Sequence, residues 1–229
     1  MNILVLGKGK TGSLVAACAR ERGHHVTSIG RAANQQQAAL TFTALAHFDI
    51  VIDFTTPESA LRHIEACALA GKSIVVGTTG WYEHLPHVRR LIADHHTSLV
   101  WGGNFSIGVN LFYAIARASA AAAQYGYEFA ITETHHIHKK DAPSGTAVVL
   151  EKILQSEGIA AAIQSIRKDE NMGCHEIALT SEVDTITLIH QSHSRRGFAL
   201  GAVRAAEWLP TAPTPGVYDF SDIFQQLVP

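Results

Sequence analysis

The sequence predicts an α/β fold, an N-terminal doubly wound parallel sheet followed by a C-terminal α+β domain with an open mixed sheet. Over residues 1–105, short continuous apolar runs alternate with segments of helical pattern, and a glycine-rich turn separates the first run from the first helix. Beyond Asn104 the apolar residues instead alternate at period two. Continuous runs suit strands buried on both faces, and alternation suits strands buried on one.

The elements follow in order. Ile3–Leu6 is an apolar strand ending in glycine, and Lys10–Arg22 sets Leu14, Val15, Cys18 and Ala19 on one helical face. His25–Ile29 reads as the second strand, and the polar stretch Arg31–Gln37 as loop and short helix. Ile50–Phe54 is the third strand. Pro57 then takes the first position of a helix that runs to Leu69 and stops at Gly71. Ser73–Val76, a helix over Glu83–His95 and a strand at Ser98–Trp101 complete the first half.

The second half opens with an alanine-rich helix over Val109–Gln124 and an alternating strand, Tyr127–Thr134. A helix from about Thr146, alternating runs near Glu176–Ser181 and Thr185–His190, a helix over Phe198–Leu209 and a proline-rich tail complete the chain. The domain boundary is expected near Ser106, giving domains of 1–105 and 106–201, with 202–229 returning to the first.

Composition narrows the class. The 229 residues are 47% hydrophobic and 17% charged with a formal net charge of −2, a profile without the basic excess of a nucleic-acid binder. No apolar run approaches the roughly 20 residues that span a bilayer, and MNILVLGKGKTG lacks the ordered regions of a signal peptide. Cys18, Cys67 and Cys174 are widely spaced and form no Cys-x-x-Cys pair, which argues against a disulfide framework or a thiolate zinc site and points to a reducing cytoplasm.

Gly7-Lys8-Gly9-Lys10-Thr11-Gly12 is a GxGxxG lying between the first strand and the first helix. Gly7 suits the tight turn, Gly9 lets a pyrophosphate approach the backbone, and Gly12 lets the helix lie close to the sheet. Free amides and the helix dipole favour phosphate at that point. A Rossmann-type dinucleotide site is therefore expected, with a structural glycine turn as the alternative. The second strand ends Ile29-Gly30-Arg31, without the acid that holds an NAD ribose. Arg31 favours the 2′-phosphate of NADP over a merely solvated role. Gly77-Thr78-Thr79-Gly80 and Gly102-Gly103-Asn104-Phe105-Ser106 follow the fourth and fifth strands, where a nicotinamide ribose and carboxamide are expected.

The densest chemistry lies in Glu133-Thr-His-His-Ile-His-Lys-Lys-Asp-Ala-Pro-Ser-Gly-Thr146. A strand delivers His135 and His136 at its end, and Ser144 suits the N-cap of the next helix, leaving the amides of Gly145 and Thr146 open. With the ammonium groups of Lys139 and Lys140 they form an anion-binding mouth suited to a small carboxylate. Histidine and lysine there serve as proton donors near neutral pH. Two alternatives stand beside this reading: zinc on His135, His136 and His138, for which no companion ligand cluster is visible, and a plain charged helix lead-in. No metal is expected, and His138 reads as a bystander.

The string His135-His-Ile-His-Lys-Lys-Asp-Ala-Pro-Ser-Gly-Thr146 resembles the signature HHxxKxDAPSGTA of the dihydrodipicolinate reductase (4-hydroxy-tetrahydrodipicolinate reductase) family. Asp53-Phe-Thr-Thr-Pro57, Asn104-Phe-Ser-Ile-Gly-Val-Asn110, and His190–Arg195 followed by Phe198-Ala-Leu-Gly-Ala-Val203 extend the resemblance along nearly the whole chain. It implies an NADPH- or NADH-dependent oxidoreductase of diaminopimelate and lysine biosynthesis, a cytoplasmic homotetramer assembled through the sheet of the second domain. Closure of a hinge between the domains would bring nicotinamide to a small dicarboxylate substrate. By position, His135 is implied as general acid/base and Lys139 as proton donor. His136, Lys140, Ser144, Gly145, Thr146 and Arg195 are implied to hold substrate. Gly7 to Gly12, Gly77 to Thr79 and Gly102 to Phe105 are implied to hold cofactor.

The chain also departs from the pattern. Arg167-Lys-Asp169 stands where the family often has Arg-x-Gly, although Gly173-Cys-His175 remains, and the segment between the second and third strands is short. A loop variation is the expected outcome. The rival readings are another NAD(P)-dependent reductase of an imine or amino dicarboxylate, and a non-catalytic NAD(P)-binding regulator.

Overall fold

A computed structural model describes residues 1–227, the side chains of 35–38 excepted. The chain divides into two compact units, Met1–Ile107 with Arg196–Pro229, and Gly108–Arg195. The return to the first unit therefore comes at Arg196 rather than 202, because the last long helix begins there.

In the first unit, β1 (Asn2–Leu6), α1 (Lys10–Glu21), β2 (His25–Ile29), a short α2 (Phe42–Leu45), β3 (Ile50–Asp53), α3 (Pro57–Leu69), β4 (Ile74–Val76), α4 (Leu85–Asp94) and β5 (Leu99–Trp101) follow in chain order. The stretch Arg31–Leu40 forms 3₁₀ turns. In the second unit come α5 (Ile107–Ser119), β6 (Glu128–His135), α6 (Gly145–Ser156), β7 (Ala162–Arg167), β8 (Cys174–Thr180) and β9 (Thr185–Gln191). The chain then adds α7 (Arg196–Trp208), β10 (Val217–Asp219) and a short α8 (Phe220–Ile223) to the first unit.

The first sheet has six strands in the order β10-β5-β4-β3-β1-β2, all parallel. Ile3, Leu4, Val5 and Leu6 are all fully buried, as are Ile50, Val51 and Ile52, because helices cover both faces. Leu4, Leu6, Val51, Ile74, Val76 and Leu99 share a core with Ile64 of α3 and with Val88 and Ile92 of α4. Each such aliphatic side chain contributes about 1.5–3 kcal/mol by leaving water. On α7 the buried residues are small, Ala199, Gly201, Ala202, Val203, Ala205 and Ala206, and the helix lies against α1, β3 and β4. Gly201 has no room for a methyl group, since a Cβ would come within 1.7 Å of the Phe105 carbonyl oxygen. Strand order reverses between β1 and β3. In open parallel sheets that reversal marks the crevice where ligands bind.

The second sheet has the order β7-β6-β8-β9, with β6 parallel to β7 and antiparallel to β8. Phe129 and Ile131 of β6 and Ile177 and Leu179 of β8 pack against Phe112 of α5 and against Leu150 and Leu154 of α6. The alternation read from the sequence is thus one face turned to helices. The expected helix Val109–Gln124 is shorter: α5 ends at Ser119, and the remainder tightens into 3₁₀ turns that stop at Gly126, φ +83°. Two strands differ from the sequence expectation. β7 is a half-exposed edge strand with no clean alternation, and β10 has only three residues, inside a stretch read as tail.

Candidate active site

In the first unit the glycine turn lies at the C-terminal end of β1. Gly7 takes φ +103°, and a Cβ there would lie 2.1 Å from the Phe54 carbonyl oxygen. Gly12 is equally constrained, its Cβ position falling 2.2 Å from the Gly7 carbonyl oxygen. Gly9 is different, because nothing in the protein lies within 4 Å of its Cβ position. It stands as the N-cap of α1 without a side-chain cap, so the first amides of that helix remain open to an anion. Lys8, Gly9 and Lys10 are exposed and Thr11 is half-buried beside them. These residues fit a pyrophosphate. Arg31 is exposed at the end of β2, close enough to Glu58 to help lower that carboxyl, after a backbone hydrogen bond and the Thr56 hydroxyl.

The loop after β4 is organised by a buried carboxylate. Asp53, at the end of β3, accepts hydrogen bonds from Thr78 Oγ1 at 2.5 Å and from Thr55 N at 3.0 Å, and its Oδ2 lies 2.5 Å from His63 Nδ1. Thr78 is therefore turned into the protein, whereas Thr79 is exposed. At Gly77 a Cβ would lie 2.2 Å from the Phe54 ring, so any side chain there would force that ring to move. After β5, Gly103 is exposed, and the Asn104 Oδ1 accepts the Ser106 amide at 2.9 Å. Gly102 and Phe105 are buried, the Phe105 ring between Phe54 and Phe220.

In the second unit the histidine–lysine segment forms the end of β6 and its turn into α6. Ser144 caps α6, its Oγ accepting the Ala147 amide at 3.3 Å, and the same oxygen lies 2.9 Å from His175 Nε2. Gly145 is exposed and Thr146 half-buried at the mouth of the helix. The Thr146 side chain bonds the Tyr113 hydroxyl, whose pKa burial raises to about 12 despite that bond.

His135 stands at the end of β6 with Nδ1 hydrogen-bonded to Glu133 Oε2. Burial lowers its pKa, the Glu133 carboxylate opposing and Lys139 and Arg167 adding to the shift. Lys139 pairs with Asp141 at 2.8 Å and keeps 21% of its side chain exposed, while Lys140 is exposed. His136 is half-buried, its amide donating to the Asn171 carbonyl at 2.8 Å. His138 is exposed beside Glu170, 3.5 Å away. Arg195 is half-buried and forms no ion pair among the described residues.

The altered segment after β7 packs along this loop. Lys168 N donates to His135 O at 2.8 Å and Ile137 N to Asp169 O at 3.3 Å. Asp169 takes φ +48° to make that path. Gly173 presses on the site, since a Cβ there would lie 3.0 Å from His135 Nε2.

Residues not assigned from sequence complete the site. Glu133 is wholly buried, His175 is nearly so with its ring 5.1 Å from that of His135, and Arg167 reaches Glu133 Oε1 at 2.9 Å. The alternation of β6 was the available signal, because it puts Phe129, Ile131, Glu133 and His135 on one face. Donor atoms of Glu133, His135 and His175 lie within 4.8 Å of one another, a spacing a metal ion tolerates. Both Glu133 oxygens are already engaged, however, by Arg167 and the Ser144 amide on one side and by His135 on the other. A cation there would have to displace the Arg167 guanidinium from Oε1 or the His135 hydrogen bond from Oε2.

The chain matches the family models described as dihydrodipicolinate reductase, N-terminus, over residues 1–105, and dihydrodipicolinate reductase, C-terminus, over 108–224. It is 35% identical to a 4-hydroxy-tetrahydrodipicolinate reductase of Natronomonas pharaonis, covering 97% of this chain and 99% of that one. A protein of the same name from Anaeromyxobacter dehalogenans is 38% identical, over 79% of this chain and 74% of its own. In structure it is similar to a dipicolinate-bound dihydrodipicolinate reductase of Paenisporosarcina sp. TG-14, with TM-score 0.80, 21% identity and coverage of 97% and 99%. With both of its halves matched, and with the HHxxKxDAPSGTA segment set at the turn from β6 into α6, the chain belongs to the dihydrodipicolinate reductase family.

Proposed function

We propose that this protein reduces 4-hydroxy-tetrahydrodipicolinate to tetrahydrodipicolinate in diaminopimelate and lysine biosynthesis. The observation that carries the reading is the pairing of His135, backed by a buried carboxylate, with Lys139 on one short turn at the open N-terminus of α6.

NADPH or NADH supplies the hydride. The turn at Gly7–Gly12 would hold its pyrophosphate through the open amides of α1, with Gly77–Thr79 and Gly102–Phe105 along the same sheet edge and Arg31 offered to a 2′-phosphate. The hydroxyl leaves the substrate as water to give a conjugated ring, hydride adds to that ring, and Lys139 donates a proton to the carbanion so formed, with His135 as acid/base beside it. The amides of Gly145 and Thr146, with Lys140 and His136, anchor one substrate carboxylate, and Arg195 takes the other as a bidentate partner. Ser144 supports the first anchor by holding the helix start. A cationic site gains most as negative charge develops on the ring, so its effect falls on the transition state.

Among the described residues no helix is long and apolar enough to cross a membrane. The free thiols of Cys18, Cys67 and Cys174 support a cytoplasmic setting. Assembly as a homotetramer is supported by the face of the second sheet turned away from α6, where Ala130, Ala178 and Thr187 align and Ile189 is 59% exposed. The test is loss of NAD(P)H absorbance when substrate is generated by the upstream synthase. Oxidation that requires the synthase supports the reading, and cofactor binding without oxidation rejects it in favour of a drifted paralogue or a regulator.

A further inference from the structure

We propose that Glu133 is the positioning residue that sets the tautomer of His135, and that Arg167 is the clamp holding Glu133 in place while seating the Lys139–Asp141 pair. The inference rests on the reading of His135 as the acid/base of the reductase and extends it to two residues that touch neither substrate nor cofactor.

The sheet register builds the device. Glu133 lies between Ser165 of β7 and His175 of β8, and His135 lies beside Arg167 of β7. All face the side covered by α6. Glu133 is 0% exposed, so its carboxylate requires strong partners to stay charged there. Oε1 accepts Arg167 Nη2 at 2.9 Å and the Ser144 amide at 3.3 Å, while Oε2 is left to His135 Nδ1. Burial alone would raise the Glu133 carboxyl, but hydrogen bonds from Arg167, Ser165 and His135 outweigh it and hold it below the ordinary value. An ionised carboxylate only accepts, so Nδ1 must carry hydrogen and the lone pair of neutral His135 falls on Nε2. A proton accepted at Nε2 gives an imidazolium whose charge Glu133 offsets. Its release restores the neutral ring, and Glu133 stays ionised throughout.

Arg167 has a second task. The same Nη2 donates to the Asp141 carbonyl at 2.6 Å, and the Asp141 carboxylate holds Lys139 Nζ at 2.8 and 2.9 Å. One guanidinium thus ties the support of His135 to the turn that carries Lys139. Lysine has a single ammonium and cannot reproduce the fork that also donates from Nη1 to the Ile166 carbonyl. The groups facing His135 are Glu133 on its own strand, Lys139 from the turn, Arg167 from β7 and His175 from β8.

The test is ¹⁵N NMR of the His135 ring in the full-length protein, alongside turnover, for the wild type, Glu133→Gln and Arg167→Lys. The wild type is expected to carry hydrogen on Nδ1. Glu133→Gln, which turns an N–H₂ towards the ring, is expected to move it to Nε2 and to lower kcat about 10²–10⁴-fold with little change in KM. Arg167→Lys is expected to keep the Nδ1–H tautomer yet lower kcat by about tenfold, through the Lys139 turn. A wild-type ring protonated on Nε2 overturns the proposal even if Glu133→Gln does not fold, and so does a Gln variant with unchanged tautomer and kcat. A wild type that fails to turn over the synthase product, yet shows the tautomer switch, rejects the proposed reaction and supports the positioning role.

Discussion

Ser144 Oγ lies 2.9 Å from His175 Nε2 while capping the Ala147 amide, so the residue that starts α6 is joined directly to a buried histidine of β8. Ser144→Ala removes both partners at once. A loss of about 1–3 kcal/mol in unfolding free energy is expected, read from urea denaturation. A loss below about 0.5 kcal/mol would show that neither bond contributes.

That histidine also makes the second unit sensitive to acid. Burial first, and then the neighbouring His135, push the His175 pKa down to about 4 from an ordinary 6.5, against the attraction of Glu133. The folded value is the lower one, so between pH 6.5 and 4 the unfolded chain binds the extra proton. This contribution is therefore complete above pH 6.5 and is lost as pH falls, by on the order of 3 kcal/mol at most. Unfolding midpoints measured across that range should slope less steeply in His175→Gln than in the wild type.

Two glycines of one turn should fail in different ways. Gly9→Ala adds a methyl group where the protein is empty, so the fold should survive while NAD(P)H affinity drops by about tenfold or more, measured by fluorescence titration. Gly12→Ala drives a methyl group into the Gly7 carbonyl and should lower the melting temperature as well. Equal melting temperatures with equal affinities would remove the phosphate from this turn.

The carboxylate under the next loop offers a separate handle. Asp53→Ala leaves Thr78, Thr55 and His63 without their shared acceptor. It should cost about 3 kcal/mol of stability and raise KM for NAD(P)H more than KM for substrate. Equal effects on both would mean that the loop does not serve the cofactor.

Lys139 and Arg195 should separate in steady-state kinetics. Lys139→Ala is expected to lower kcat about 10²–10⁴-fold, as for a lost acid. Arg195→Ala should chiefly raise KM for the dicarboxylate. An unchanged KM would take Arg195 out of carboxylate binding.

Much of this was legible because the decisive signals are local. The run Ile3–Leu6, the GxGxxG after it and the Ser144 cap each specify their structure within a few residues. β7 and β10 were not legible: β7 is a half-exposed edge strand without clean alternation, β10 is three residues long, and the pairing of each comes from neighbours distant in sequence. The same limit hid the roles of Glu133 and Arg167. Alternation gives the face that Glu133 occupies, but only the parallel register of β6 with β7 brings Ser165 beside it and Arg167 beside His135.

The path of the chain has a consequence for how the protein is made. Residues 1–107 leave the ribosome without α7, whose small buried residues lie against α1, β3 and β4, and without β10, which borders β5. Residues 108–195 carry their own sheet and core and have every strand they need once Gln191 has emerged. The later-synthesised segment is thus equipped to finish first, while the earlier one waits as an open sheet for residues 196–224. Nascent-chain proteolysis on stalled chains from which Gln191 has just cleared the ribosome would display that inverted order as a protected second segment beside a cleaved first one.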